Sequence, residues 1–241
     1  MSAKAVLVIG AGDATGGAIA RRFAREGFTA CVTRRHADKL APLVEAIEQE
    51  GGKARAFGSD ARKEEEMIAL IDTIEREVGE IEAAVYNIGA NVRFPIRDTT
   101  SRVFFKVWEM ACFGGFLMGR EVAKRMGPRG RGTILFTGAT ASVRGGSGYA
   151  AFASGKHALR ALAQSMAREL GPEGIHVAHV VIDGAIDTAW IRENFPERAA
   201  LKNEDGILNP EAIAENYWML HSQPRSAWTH ELDLRPWMEK W

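Results

Sequence analysis

The stretch VLVIGAGDATGGAIARRFAREG (6–27) decides the fold. A run of buried-type aliphatic residues stops at a cluster of glycines, and an amphipathic helix pattern begins directly after it. Gly10, Gly12 and Gly16, with Gly17, fall between the expected strand and helix. Glycines there permit a tight turn and close backbone approach to a pyrophosphate, while the helix start offers free N–H groups and the positive end of its dipole. A glycine pattern alone says little; framed by a strand and a helix it predicts a dinucleotide-binding turn. Asp13, Ala14 and Thr15 complete that turn. Asp13 either would repel a ribose 2′-phosphate bound nearby or helps to cap the helix.

The same alternation of short apolar runs and amphipathic stretches continues along the chain. Strands are expected at 5–10, 29–33, 53–60, 82–89, 132–139, 175–182 and 230–234, and helices at 16–26, 37–50, 63–78, 100–127, 150–170 and 210–221. Met67, Leu70, Ile71, Ile74 and Val78 recur on one helical face. Repeated βα units predict an α/β fold, a Rossmann-like doubly wound parallel sheet of about seven strands with helices on both faces. No repeat, linker or low-complexity tract divides the 241 residues, so one domain spanning 1–241 is expected. The segment 189–209 breaks the alternation after a strand end and is the expected substrate loop. A final helix, strand and tail occupy 210–241.

Composition narrows the partners. With 31 basic and 31 acidic residues the formal net charge is zero, which argues against nucleic-acid or anionic-membrane binding through a global field. Cys31 and Cys112 lack metal-ligand spacing, so no metal site and a reduced, cytoplasmic protein are expected. AVLVIGAG (5–12) is too short and glycine-bounded for a membrane or secretory segment.

At the end of the second strand the sequence reads VTRRHADKL (32–40). A free ribose 2′-hydroxyl meets an acid at this point, whereas a 2′-phosphate calls for arginine. Arg34 and Arg35 supply planar forks, and the cofactor expected is NADP(H).

Taken in order, these features resemble the short-chain dehydrogenase/reductase family, and the likeness spans nearly the whole chain. Gly10, Ala14 and Gly16 fall on that family's glycine motif, with alanine in place of the middle glycine. Asp60, followed by Ala61, matches its adenine-binding aspartate. YNIG (86–89) stands for its NNAG and keeps Asn87 and Gly89. IDGAIDT (182–188) resembles its PGxxxT segment, placing Asp183 at the proline and Gly184, Ile186 and Thr188 beside the nicotinamide. The resemblance further implies a small-molecule substrate and a homo-oligomer, dimer or tetramer. Trp218, Trp228, Trp237 and Trp241 are candidates for subunit contacts or for packing on the chain's own core.

The family's chemistry rests on Tyr-x-x-x-Lys, a serine thirteen residues earlier and an asparagine on the preceding long helix. The lysine holds the nicotinamide ribose and lowers the tyrosine from its usual pKa of about 10. GYAAFASGK (148–156) keeps the lysine, Lys156, but puts Phe152 at the tyrosine. Ala139 stands at the serine and Ala111 at the asparagine. Tyr149 and Thr140 are the candidates to take over polar work; Thr137, Ser142, Asp183 and Asp187 lie nearby, and His157, His176 and His179 read as structural. Hydride transfer to a small carbonyl or imine by an altered proton path is the function expected, against a silent NADP(H)-binding protein. An iminium carbon accepts hydride without a proton being donated to oxygen, so it escapes the loss of the acid.

Overall fold

The computed structural model describes residues 3–240. Seven strands form one parallel sheet: β1 (Lys4–Ile9), β2 (Thr29–Arg34), β3 (Lys53–Gly58), β4 (Glu80–Tyr86), β5 (Gly132–Thr137), β6 (Ile175–Ile182) and β7 (Glu231–Leu234), in the order β3-β2-β1-β4-β5-β6-β7. The order reverses between β1 and β4, which opens a crevice above their carboxyl ends.

Side chains of β1 alternate between two cores. Val6 and Val8 join a cluster with Ile19 and Phe23 of α1 (Thr15–Arg25), Ile47 of α2 (Ala41–Gln49) and Tyr217 of α9 (Pro210–Ser222). Ala5, Leu7 and Ile9 face Met67 and Ile71 of α3 (Glu64–Glu77), Leu117 and Val122 of α5 (Gly114–Met126) and Leu159 of α6 (Ala150–Leu170). The expected sheet, doubly wound with helices on both faces, is what the chain forms. The stripe over 63–78 is buried at Met67, Leu70, Ile71 and Ile74.

Several strands stop two or three residues before their apolar runs do. The runs at 53–60, 82–89 and 132–139 leave the ladder at Gly58, Tyr86 and Thr137. Beyond Thr137 the Gly138 amide still reaches Val180 O, but the Thr137 carbonyl is taken by the Lys156 ammonium. The released ends, Asp60, Asn87–Gly89 and Ala139–Thr140, become loops over the crevice.

The long helix expected at 100–127 runs from Ser101 to Met126, with a π-helical turn inside it. It comprises α4 (Ser101–Trp108), a π-helical turn (Glu109–Phe113) and α5. The hydroxyl of Tyr86, at the end of β4, donates 2.6 Å to Met110 O inside that turn. Gly114 makes room for this hydroxyl; a Cβ there would collide with it. Between β6 and α9 the segment expected as a substrate loop folds into α7 (Ala189–Asn194), α8 (Pro196–Ala200) and a short 3-10 turn (Leu201–Glu204), tied down where Ile186 bridges Leu208.

Trp218 packs edge-on against Phe23 and Phe28, and Trp228 stacks on His176, so both serve the chain's own core. Trp237 is 73% exposed with its indole N–H on Glu204 O, and Trp241 lies outside the described residues. Among the described residues, no helix is long and apolar enough to cross a membrane.

Candidate active site

A cavity of about 720 Å³ lies over the crevice between β1 and β4. Its first wall is the glycine turn. Gly10 has φ +85, and a Cβ there would stand 2.7 Å from Asn87 O, so only glycine fits. Gly12, Asp13, Ala14, Thr15 and Gly16 also line this wall. A Cβ on Gly12 would meet no protein atom within 4 Å, which leaves the turn open to a bulky group. α1 starts from Ala14 with no side-chain cap and no acid in its first turn. Of the two alternatives for Asp13, capping is not taken up: Asp13 is exposed and the cap position is Ala14, one residue later. Uncapped N–H groups at the positive end of an eleven-residue helix suit a phosphate.

Asn87 braces the turn by donating Nδ2 to Gly10 O, and Gly89 follows it on the cavity wall. Gly184, Ile186 and Thr188 form the far side, where the Thr188 hydroxyl caps α7 by accepting from the Ile191 amide. An adjoining cavity of about 340 Å³ is lined by Arg34, Arg35, Asp60 and Ala61, and shares Gly10, Gly12, Asn87 and Gly89 with the first. Among the described residues neither Arg34 nor Arg35 is engaged in an ion pair or side-chain hydrogen bond, although Asp60 feels the charge of Arg35. Asp60 is gripped by Arg62, whose Nε and Nη2 donate to its two oxygens at 2.9 and 2.6 Å. That fork is the main reason its carboxyl sits down at about 2. Sequence reasoning missed Arg62, a third guanidinium of this cavity; only its place two residues after Asp60 could have pointed to it.

Lys156 is 2% exposed, and its ammonium donates to Thr137 O (2.8 Å) and Ile88 O (3.1 Å). Burial pushes it down to about 8, against a smaller opposing effect of Cys112. An ammonium has three N–H donors, so one remains for a ligand.

The positions expected to carry hydroxyl and amide groups come together as carbon. Ala111, inside the π turn, Phe152 and Ala139 belong to one apolar cluster with Ala141 and Ala151, packed beside Lys156. The Phe152 ring lies 6.0 Å from the ammonium. Of the replacement candidates, Tyr149 precedes α6, lines the cavity and makes no side-chain hydrogen bond among the described residues. Thr140 also lines the cavity, with its hydroxyl 2.5 Å from Asp183 Oδ1.

Of the other candidates, Thr137, Ser142 and Asp187 are committed elsewhere. Thr137 Oγ1 pairs with Tyr217 OH, and Ser142 Oγ accepts from the Ala139 amide. Asp187 is held by Arg192 and Lys202. His157 Nδ1 lies 2.9 Å from Ala153 O and His176 Nε2 2.8 Å from Thr229 O, while burial pushes His179 down to about 4. Both strand histidines are buried, and His179 Nδ1 lies 3.5 Å from Glu231 Oε2.

Comparison with known proteins places this geometry. A family profile described as short chain dehydrogenase matches residues 4–199. The 7alpha-hydroxysteroid dehydrogenase of Escherichia coli K12 is 31% identical over 188 residues, 78% of this chain and 73% of its own. A crystal structure of a short-chain dehydrogenase from Rhodopseudomonas palustris is 50% identical, with a TM-score of 0.84 over 97% of this chain and 99% of that one. A metagenomic short-chain oxidoreductase in complex with NADP superposes with a TM-score of 0.82, covering 97% of each chain at 23% identity, which speaks for the fold alone.

Proposed function

The chain belongs to the short-chain dehydrogenase family, and on that premise we propose that it is an NADP(H)-dependent oxidoreductase acting on a small carbonyl or imine by an altered proton path. The uncapped start of α1 receives the pyrophosphate, Arg34 and Arg35 the 2′-phosphate, and Asp60 with Ala61 the adenine edge. Lys156 holds the nicotinamide ribose with its remaining N–H. Asn87 and Gly89 line one side of the ring, and Gly184, Ile186 and Thr188 take its carboxamide end. NADP(H), bound there, supplies or accepts the hydride. The chain's own part is to orient the two reactants, and orientation is worth up to about 7–11 kcal/mol of the barrier.

Ala111, Ala139 and Phe152 exclude water and offer no proton. A positioned general acid is worth about 10²–10⁴-fold, so a simple ketone is a poor substrate here. Tyr149 and Thr140 are the groups left to touch the substrate. The single observation behind this reading is the pairing of an open, uncapped phosphate turn, beside Lys156, with an adjoining cavity lined by Arg34 and Arg35, which make no ion pair among the described residues. The NADP carried by the metagenomic fold neighbour is in keeping with it.

A silent NADP(H)-binding protein is the second reading, favoured by the merging of all three customary positions into one apolar cluster. NADPH oxidation, followed at the nicotinamide absorbance against a carbonyl and imine panel, separates the two. Turnover of any member supports the enzyme; tight NADPH binding without turnover across the panel supports the silent protein. The homo-oligomer is supported by exposed aromatics on the α4–α5 face, where Phe105 is 64% and Phe116 36% exposed.

A further inference from the structure

Thr140 points its proton away from the cavity. A carboxylate can only accept, so in the 2.5 Å contact with Asp183 the threonine hydroxyl is the donor. Asp183 is 3% exposed and lies behind Thr140, its amide on Leu234 O and its two oxygens 3.7 Å from Arg144 and Arg235. The two guanidiniums hold Asp183 as a carboxylate and offset its charge, and what Thr140 presents to the cavity is a pair of lone pairs. The family resemblance puts a serine at the neighbouring position; here that position is Ala139, and the hydroxyl beside it, on Thr140, donates away from the cavity.

A carbonyl oxygen is itself an acceptor and gains nothing from such a partner. A protonated imine carries an N–H donor, which these lone pairs can accept. Resting on the oxidoreductase reading above, we propose that Thr140 and Asp183 form an acceptor pair that selects protonated imines over ketones. Thr140 touches the N–H, and Asp183 is a positioning residue that fixes the direction of its hydroxyl. The reaction balances without an acid. The C=N carbon takes the hydride that the reduced nicotinamide supplies, the π pair moves to nitrogen, and nitrogen keeps its proton. The products are a neutral amine and the oxidised nucleotide. This accounts for a reaction centre in which Phe152, Ala139 and Ala111 need supply no proton.

The test uses two matched pairs of five-membered rings on the NADPH-saturated protein. Calorimetry compares pyrrolidinium, an N–H donor, with tetrahydrofuran, an oxygen acceptor; turnover compares methylpyrroline with cyclopentanone. A charge-assisted hydrogen bond predicts at least about ten-fold preference for pyrrolidinium in Kd and for methylpyrroline in kcat/KM. Asp183→Asn supplies an N–H₂ that can donate to the threonine oxygen, freeing its proton for the substrate. Both preferences then shrink or reverse towards the oxygen compounds. Thr140→Ser retains them and Thr140→Val loses them, which a merely structural role of Asp183 would not produce. Equal binding of the two probes, binding of neither, a preference for cyclopentanone, or preferences that survive Asp183→Asn overturn the proposal. Absence of NADPH binding, measured first, overturns the oxidoreductase reading instead.

Discussion

At the scale of single residues, Phe152, Ala139 and Lys156 set the chemistry. Phe152 and Ala139 both line the cavity, so hydroxyls placed there would face it. The double variant Phe152→Tyr, Ala139→Ser is expected to raise ketone reduction by about 10²–10⁴-fold while leaving NADPH affinity unchanged. Steady-state kinetics with cyclopentanone checks this; no gain would mean that the remainder of the site is not competent. Lys156 offers a second handle. Its folded pKa, about 8, lies below the ordinary 10.5, because burial disfavours the charged form. The fold therefore bears a penalty that is full below about 8 and is relieved as pH climbs towards 10.5, since the unfolded chain keeps its proton longer. The urea midpoint of the wild type is expected to rise across that window relative to Lys156→Met; parallel curves would contradict it.

At the scale of elements, the helix containing Ala111 carries a π turn at the point where the Tyr86 hydroxyl meets the Met110 carbonyl. Tyr86 is fully buried and its hydroxyl satisfies Met110 O, with Gly114 leaving room. Such turns collect at functional sites, and this one seats Ala111 against Gly155 of α6, beside the cavity floor. Tyr86→Phe leaves the carbonyl without its partner and is expected to cost about 1–3 kcal/mol in urea unfolding. An unchanged stability would show that the turn does not depend on the bond.

The π turn was not legible in the sequence. WEMACFGGF (108–116) keeps a helical pattern throughout, and the decisive partner lies on another strand. The strand–glycine–helix turn, by contrast, was legible, because its residues are adjacent and its geometry is local. The Thr140–Asp183 contact spans 43 residues. Each residue could be singled out alone, but the direction of the hydrogen bond between them belongs to the folded chain.

For the whole molecule, the βα alternation together with the family likeness predicts a doubly wound parallel sheet of about seven strands, and it is the fold that brings the phosphate turn and Lys156 to one crevice. What lies outside that crevice is a stacked row of aromatics, Trp108, Phe113 and Phe116, with successive centroids 6.0 Å apart, and Phe105 on the same helical segment. Phe105 and Phe116 are exposed here, and this is where a second copy of the chain is expected to pack. Sedimentation is expected to find a homo-oligomer that Phe105→Asp with Phe116→Asp converts to monomer. A wild-type monomer at micromolar concentration would remove the assembly from the account.

The measurement that bears most directly on the central claim is calorimetric titration of the wild type and the Arg34→Ala, Arg35→Ala variant with NADPH and NADH. Two charge-assisted contacts to a 2′-phosphate predict that NADPH binds at least about ten-fold more tightly than NADH to the wild type. The variant should lose that margin, with its NADH affinity nearly unchanged. No heat with either nucleotide, or equal losses for both, would contradict the account.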